Sequence, residues 1–122
     1  AAANGAQVHW HNRATMTASA TADICLCSLT LNTKAISMST VKAAIVRVTS
    51  TAAAVELTVG APSSNTFAAL KGTVGPAGML MGTNFRDGWA VTADTDDLIG
   101  LENTGTGTLA YEIIIVGNGT VS

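Results

Sequence analysis

His9 and His11 flank Trp10 in His-Trp-His, and Cys25 and Cys27 flank Leu26 in Cys-Leu-Cys. Residues two apart on a β-strand share a face, so each pair could present two ligands in one direction. Together they would supply the four nitrogen and sulfur ligands of a tetrahedral zinc site. The spacing argues against it, because zinc modules use Cys-x2-4-Cys and His-x3-5-His pairs. The sequence therefore predicts no metal. His9 and His11 read as polar outward neighbours of an inward Trp10, and Cys25 and Cys27 as reduced, buried, small hydrophobes. On an extended strand the two cysteine Cα atoms would lie roughly 6.5–7 Å apart, at or beyond the limit for a disulfide.

Other chemistry fares no better. Asp94-Thr95-Asp96-Asp97 opens like a calcium loop, but Leu98, Ile99 and Gly105 then stand where the loop needs an oxygen ligand, a glycine and a glutamate. Nucleophilic catalysis needs a base beside a Ser or Cys. Both histidines lie in the first strand, and the cysteines sit in an apolar run that leaves thiols inert. Asp96, Asp97, Glu102 and Glu112 could pair as hydrolase carboxylates, but no cleft-forming insertion surrounds them. Gly72, Gly75 and Gly78 lack the strand–Gly-x-Gly-x-x-Gly–helix context of a phosphate loop. Asn118-Gly119-Thr120 is a glycosylation sequon without a secretory signal before it. The expectation is a protein that is not an enzyme and takes no cofactor.

The elements that would position these residues are strands. Thr, Val and Ile favour them, the polarity alternates in twos, and turn residues recur about every 8–14 positions. Strands are expected at residues 6–11, 14–21, 24–31, 41–49, 54–59, 66–70, 89–92, 98–103 and 108–116. Residues 32–39 read as a loop or short helical turn, and the glycine-rich stretch 71–88 as the longest irregular segment. Residues 104–107 read as a tight hairpin turn with glycines ready for positive φ. The strands at 41–49 and 108–116 carry apolar residues on both faces, which places the first of them centrally. The fold class expected is all-β: one antiparallel sandwich of about eight strands, jelly-roll-like, with an immunoglobulin-like sandwich as the alternative.

The chain has 122 residues, which fits one domain. Its apolar fraction of 48% supplies a core, while only 11% of residues are charged against a typical ~25%. A surface that neutral and hydroxyl-rich suits contact with other protein, since charge is depleted in interface cores. The net charge of -2 and the scattered basic residues leave no footprint for nucleic acid. No apolar run reaches the ~18 residues of a membrane span. The start, AAANGAQ, has no basic region followed by an apolar stretch, and reads as a cytoplasmic product trimmed of its initiator Met.

Two segments carry a resemblance: QVHWHNRATMTASATADICLCSLTL near the start and DTDDLIGLENTGTGTLAYEIIIVG near the end. The second resembles the last hairpin of small tailed-phage virion proteins. The composition, rich in Ala, Thr, Gly and Val and poor in charge, is similar to that of capsid decoration (cement) proteins. The resemblance implies a jelly-roll-like fold, a homotrimer or homodimer, and a place on the capsid surface of a virion assembled in the host cytoplasm. The partner it implies is a major capsid protein. Competing readings are a receptor- or glycan-binding fibre or spike domain and a pilin- or adhesin-like subunit.

Two regions are expected to hold the partner. Ala1, Ala2, Ala3, Asn4, Gly5, Ala6 and Gln7 include no core-sized side chain, so they read as an N-terminal arm that orders on a neighbour. In the glycine-rich stretch, Met79, Leu80, Met81 and Phe85 are apolar enough to anchor, or else to cap one end of the sandwich.

Overall fold

The computed structural model describes residues 8–31, 33–51, 54–60, 67, 70–84, 86–92 and 97–121. Alternating polarity gives ten strands among them and no helix: β1 (Val8–Met16), β2 (Thr21–Cys25), β3 (Leu29–Leu31), β4 (Lys34–Val48), β5 (Leu57–Val59), β6 (Gly72–Val74), β7 (Met79–Thr83), β8 (Trp89–Ala90), β9 (Leu98–Asn103) and β10 (Leu109–Val121).

All pairings are antiparallel and fall into two sheets. The first runs β1-β10-β4, and the far edge of the 15-residue β4 is shared by β3, β8 and β7 in turn. The second runs β2-β9-β5-β6. With the short β3 and β8 set aside, eight strands remain. Their order is first-eighth-third-sixth in one sheet and second-seventh-fourth-fifth in the other. That is the double Greek key of a jelly roll, not the immunoglobulin order.

The core is what the two inner faces put between them. Val46 and Val48 of β4, Ile113 and Ile115 of β10, Leu57 of β5 and Ile99 of β9 are all buried, and each contributes roughly 1.5–3 kcal/mol by leaving water. Trp10 points inward from β1, and its indole N–H donates to Thr30 O at 3.0 Å. Phe67 meets the edge of Trp89 with ring centroids 6.5 Å apart.

One buried polar residue ties two inter-sheet connections together. Asn103, fully buried, donates its amide to Met16 O (3.0 Å), Thr17 O (3.1 Å) and Gly107 O (2.8 Å), and accepts from Gly105 N (3.1 Å). It thereby pins the β1–β2 and β9–β10 connections to each other. The second of these is not the hairpin expected at 104–107, because β9 and β10 lie in different sheets. Gly105 is needed there for close approach: a Cβ on it would collide with the carbonyl of Ala54.

Other expected boundaries also move. Residues 34–39 are strand, opening β4 after the tight β3–β4 turn at Thr33 (φ 68°). The stretch 71–88 holds β6, β7 and residues leading to β8, so it is not irregular throughout. Phe67 and Leu70, expected in a strand, are buried outside one. The expected strand 24–31 breaks after Cys25, where Leu26 turns fully inward. Cys25 and Cys27 are not in a disulfide, and both are half-buried rather than buried.

Candidate functional site

Among the described residues, the histidine, cysteine and carboxylate side chains do not converge. His9 and His11 project outward from β1 with their rings stacked, centroids 6.1 Å apart and planes within 4°. Cys25 ends β2 in the other sheet, where its thiol lies 3.7 Å from the buried Asp97 carboxylate. No group of three or more His, Cys, Asp or Glu able to hold a metal occurs among the described residues. Glu102 and Glu112 stand on outward positions of different sheets, so they form no carboxylate pair. Asp94 and Asp96 lie outside the described residues.

What the register does assemble is a surface. In β10, Leu109, Tyr111, Ile113 and Ile115 point into the core, so Glu112, Ile114 and Val116 must point out. The same alternation turns Ala43, Ile45 and Arg47 of β4 outward, with His9, His11 and Arg13 of β1 and Met79, Met81 and Thr83 of β7 beside them. Cross-strand pairing then aligns three rows across four strands: Arg13–Glu112–Arg47–Met79, His11–Ile114–Ile45–Met81, and His9–Val116–Ala43–Thr83. The second and third rows are almost wholly apolar at their centre. Ala43 in the third row is already buried, Ile45, Ile114 and Val116 are half-buried, and Met79 and Met81 are 59% and 56% exposed. Methionine suits such a surface, because its flexible thioether adapts to whatever lies against it.

The first row bounds this patch with charge. Arg13 Nε donates to Glu112 Oε2 at 2.6 Å and Arg47 Nη2 to Glu112 Oε1 at 3.1 Å. The hydrogen bond from Arg13, reinforced by Arg47, holds the Glu112 carboxyl below its usual range. The carboxylate is thus fixed between two guanidinium groups that are themselves open to solvent at 77% and 50%. The row carries one net positive charge; its carboxylate is paired on both sides, while the two guanidinium groups reach solvent at its edge, so it can be covered without stranding the carboxylate.

Two expected anchors, Met79 and Met81, belong to this face. Leu80 between them turns the other way and packs against the core, with a glycine, Gly72, leaving room for it. Ala1, Ala2, Ala3, Asn4, Gly5, Ala6, Gln7 and Phe85 lie outside the described residues. Ile45, Ile114, Val116 and the Arg13–Glu112–Arg47 row were not among the expected site residues. Their signal was in the sequence, in the apolar residues on both faces of the strands at 41–49 and 108–116. A central strand of a sandwich needs only one apolar face for the core, so the second apolar face is the feature that stands out.

No family model matches this chain, and no curated protein matches it. Among solved structures it is similar to a periplasmic inhibitor of g-type lysozyme from Aeromonas hydrophila, at 11% identity and a TM-score of 0.43 over 100% of this chain and 92% of that one. A likeness at that level carries nothing over to this chain.

Proposed function

We propose that this protein is a structural virion component of the decoration type, binding the outer surface of an assembled capsid and reinforcing the shell. Its partner is then a major capsid protein, and its work is protein contact rather than catalysis. The observation that carries the reading is a jelly roll whose described residues set a paired-charge row beside half-buried and exposed apolar residues on one outer sheet face. The charge-poor composition and the resemblance of the closing segment to small phage virion proteins point the same way. Binding only the assembled state stabilises that state by mass action.

The glycan-binding alternative would need open aromatic rings to stack against sugars. Trp10, Phe67 and Tyr111 are buried, and Trp89 packs against the core, so the described aromatics offer none. The direct test is to add the purified chain to intact and chain-stripped phage capsids and locate bound copies by cryo-electron microscopy. Regular decoration of the shell, with a raised temperature of shell disruption, is the expected result. Binding to tail tips or host glycans, with bare shells, would overturn it.

A further inference from the structure

We infer that the outer face of the first sheet is a self-complementary docking surface whose occupant is the same face of a second copy. The row register sets the geometry of such a pairing. Consider a two-fold axis in the plane of the face, parallel to the strands and midway between β10 and β4. The rotation lays β10 of one copy over β4 of the other, and β1 over β7. Each row then meets itself reversed. Glu112 faces Arg47 of the other copy, Ile114 faces Ile45, and Val116 faces Ala43, each contact occurring twice. Arg13 lies over Met79, its alkyl stem on the thioether and its charge at the solvent edge.

Charge decides between this arrangement and the other isologous one. With the axis running along the rows, Glu112 would be laid on Val116 and Arg47 on Ala43. That withdraws ions from water against hydrocarbon, which is costly. The strand-parallel axis instead gives each buried carboxylate guanidinium groups from both copies. Twisted sheets packed in this way cross at about 30°, which the contacts nearest the axis tolerate.

Size sets the expected strength. Four strands about 4.8 Å apart and three rows about 6.8 Å apart give a patch on the order of 400–500 Å² per copy. Both copies together bury roughly 800–1,000 Å², below the size of a stable specific interface and in the range of weak, transient ones, so the dimer is expected in the micromolar range or weaker. An isologous pairing closes at two copies, which favours the dimer over the trimer that the phage resemblance also allowed. The pairing needs no capsid, so it is tested apart from the virion reading, but it claims the same sheet face: a dimer that persists on the shell would leave the capsid to the molecule's other surfaces.

The experiment is sedimentation velocity on the full chain without capsids, over about 5–200 µM, the range an interface this small calls for. The wild type is expected to pass from monomer to dimer. Ile114→Glu should weaken the dimer by roughly tenfold or more, since it buries a charge at the axis. Arg47→Glu and Glu112→Arg should each do the same by setting like charges against each other. Mixing these last two variants should restore dimer to within about threefold of wild type, because each then meets its opposite charge only on the other copy. A role within one chain cannot produce rescue by mixing. Circular dichroism of each variant confirms that its fold is kept, and a variant that fails this check is replaced by Arg47→Gln mixed with wild type, for which intermediate affinity is expected. A wild type monomeric throughout, a trimer, or no recovery on mixing folded variants would overturn the inference.

Discussion

The two sheets of this sandwich obey the same inward rule and opposite outward rules. Outside the second sheet, cross-strand register aligns Thr21, Glu102, Thr58 and Thr73, a row of hydroxyls and a carboxylate. Outside the first sheet, the equivalent positions hold Ile114, Ile45 and Met81. Both sheets turn Val, Ile and Leu inward to the core. Fold stability therefore accounts for the inner faces alone. On the proposed reading, the difference outside marks where the molecule meets water and where it meets protein, because solvent selects polar outward residues and a partner does not.

The sharpest way to separate the two roles is a pair of neighbours on one strand. Ile113 is fully buried and Ile114 half-buried, one residue apart on β10. Ile113→Ala should cost about 2–5 kcal/mol through lost transfer and a cavity. Ile114→Ala should cost less than about 1 kcal/mol in the monomer, since much of that side chain never left water. Urea unfolding at low protein concentration measures both. Equal losses would mean that the outer face is structural after all.

Next in size is Asn103, whose side chain is polar and yet fully buried on the second sheet. Asn103→Ala would leave the carbonyls of Met16, Thr17 and Gly107 without their amide donor. The expected loss is about 1–3 kcal/mol, seen as a lower urea midpoint with unchanged slope. Asn103→Asp should not recover it, because a carboxylate cannot donate to those carbonyls.

Much of this division was readable in the sequence, and the unreadable part has physical causes. Val55, Leu57 and Val59 alternate with Ala54, Glu56 and Thr58, and the three apolar residues are indeed buried. The faces of the last strand, Leu109-Tyr111-Ile113-Ile115 against Ala110-Glu112-Ile114-Val116, were equally plain. Central placement of β4 followed from its two apolar faces, though the meaning of its second one did not. The opening of β4 was hidden because Ile36 and Met38 alternate among Lys, Ser and Thr that also suit a loop. β6 and β7 were hidden by glycines, which break strands on average but here make room, as Gly72 does beneath Leu80. Alternation also cannot tell a hairpin from an arch between sheets, and the hairpin expected at 104–107 is an arch. Cross-strand rows such as Arg13–Glu112–Arg47 join residues up to 99 positions apart, and only register brings them together.

A smaller effect comes from making the second face imitate the first. Thr58→Ile with Thr73→Val would put apolar side chains beside Glu102 on an exposed row. Stability should change by no more than about 0.5–1 kcal/mol, since surface substitutions in strands rarely do more. Self-association should rise by light scattering as a new patch appears. No change in association would show that apolar surface alone does not make a docking face here, and that the flanking charge row matters more.

The smallest effect belongs to that charge row and appears only in acid. Arg13, and then Arg47, lower the Glu112 carboxyl below its usual value in the folded chain. A depressed folded value means that the unfolded state binds the proton more readily. The stabilisation is therefore complete above the ordinary glutamate range, near pH 4.5, and is lost as pH falls from there through the folded value. Glu112→Gln removes the ionised carboxylate at every pH. The variant should be slightly less stable than wild type at neutral pH, and the gap should close as the solution is taken well below pH 4.5. Because the row is open to water, the gap should also shrink in high salt. Urea midpoints of the two proteins, taken in the monomer at neutral and acid pH, measure it directly. A gap that stays constant into acid would assign Glu112 a packing role, with the two arginines held by contacts other than its charge.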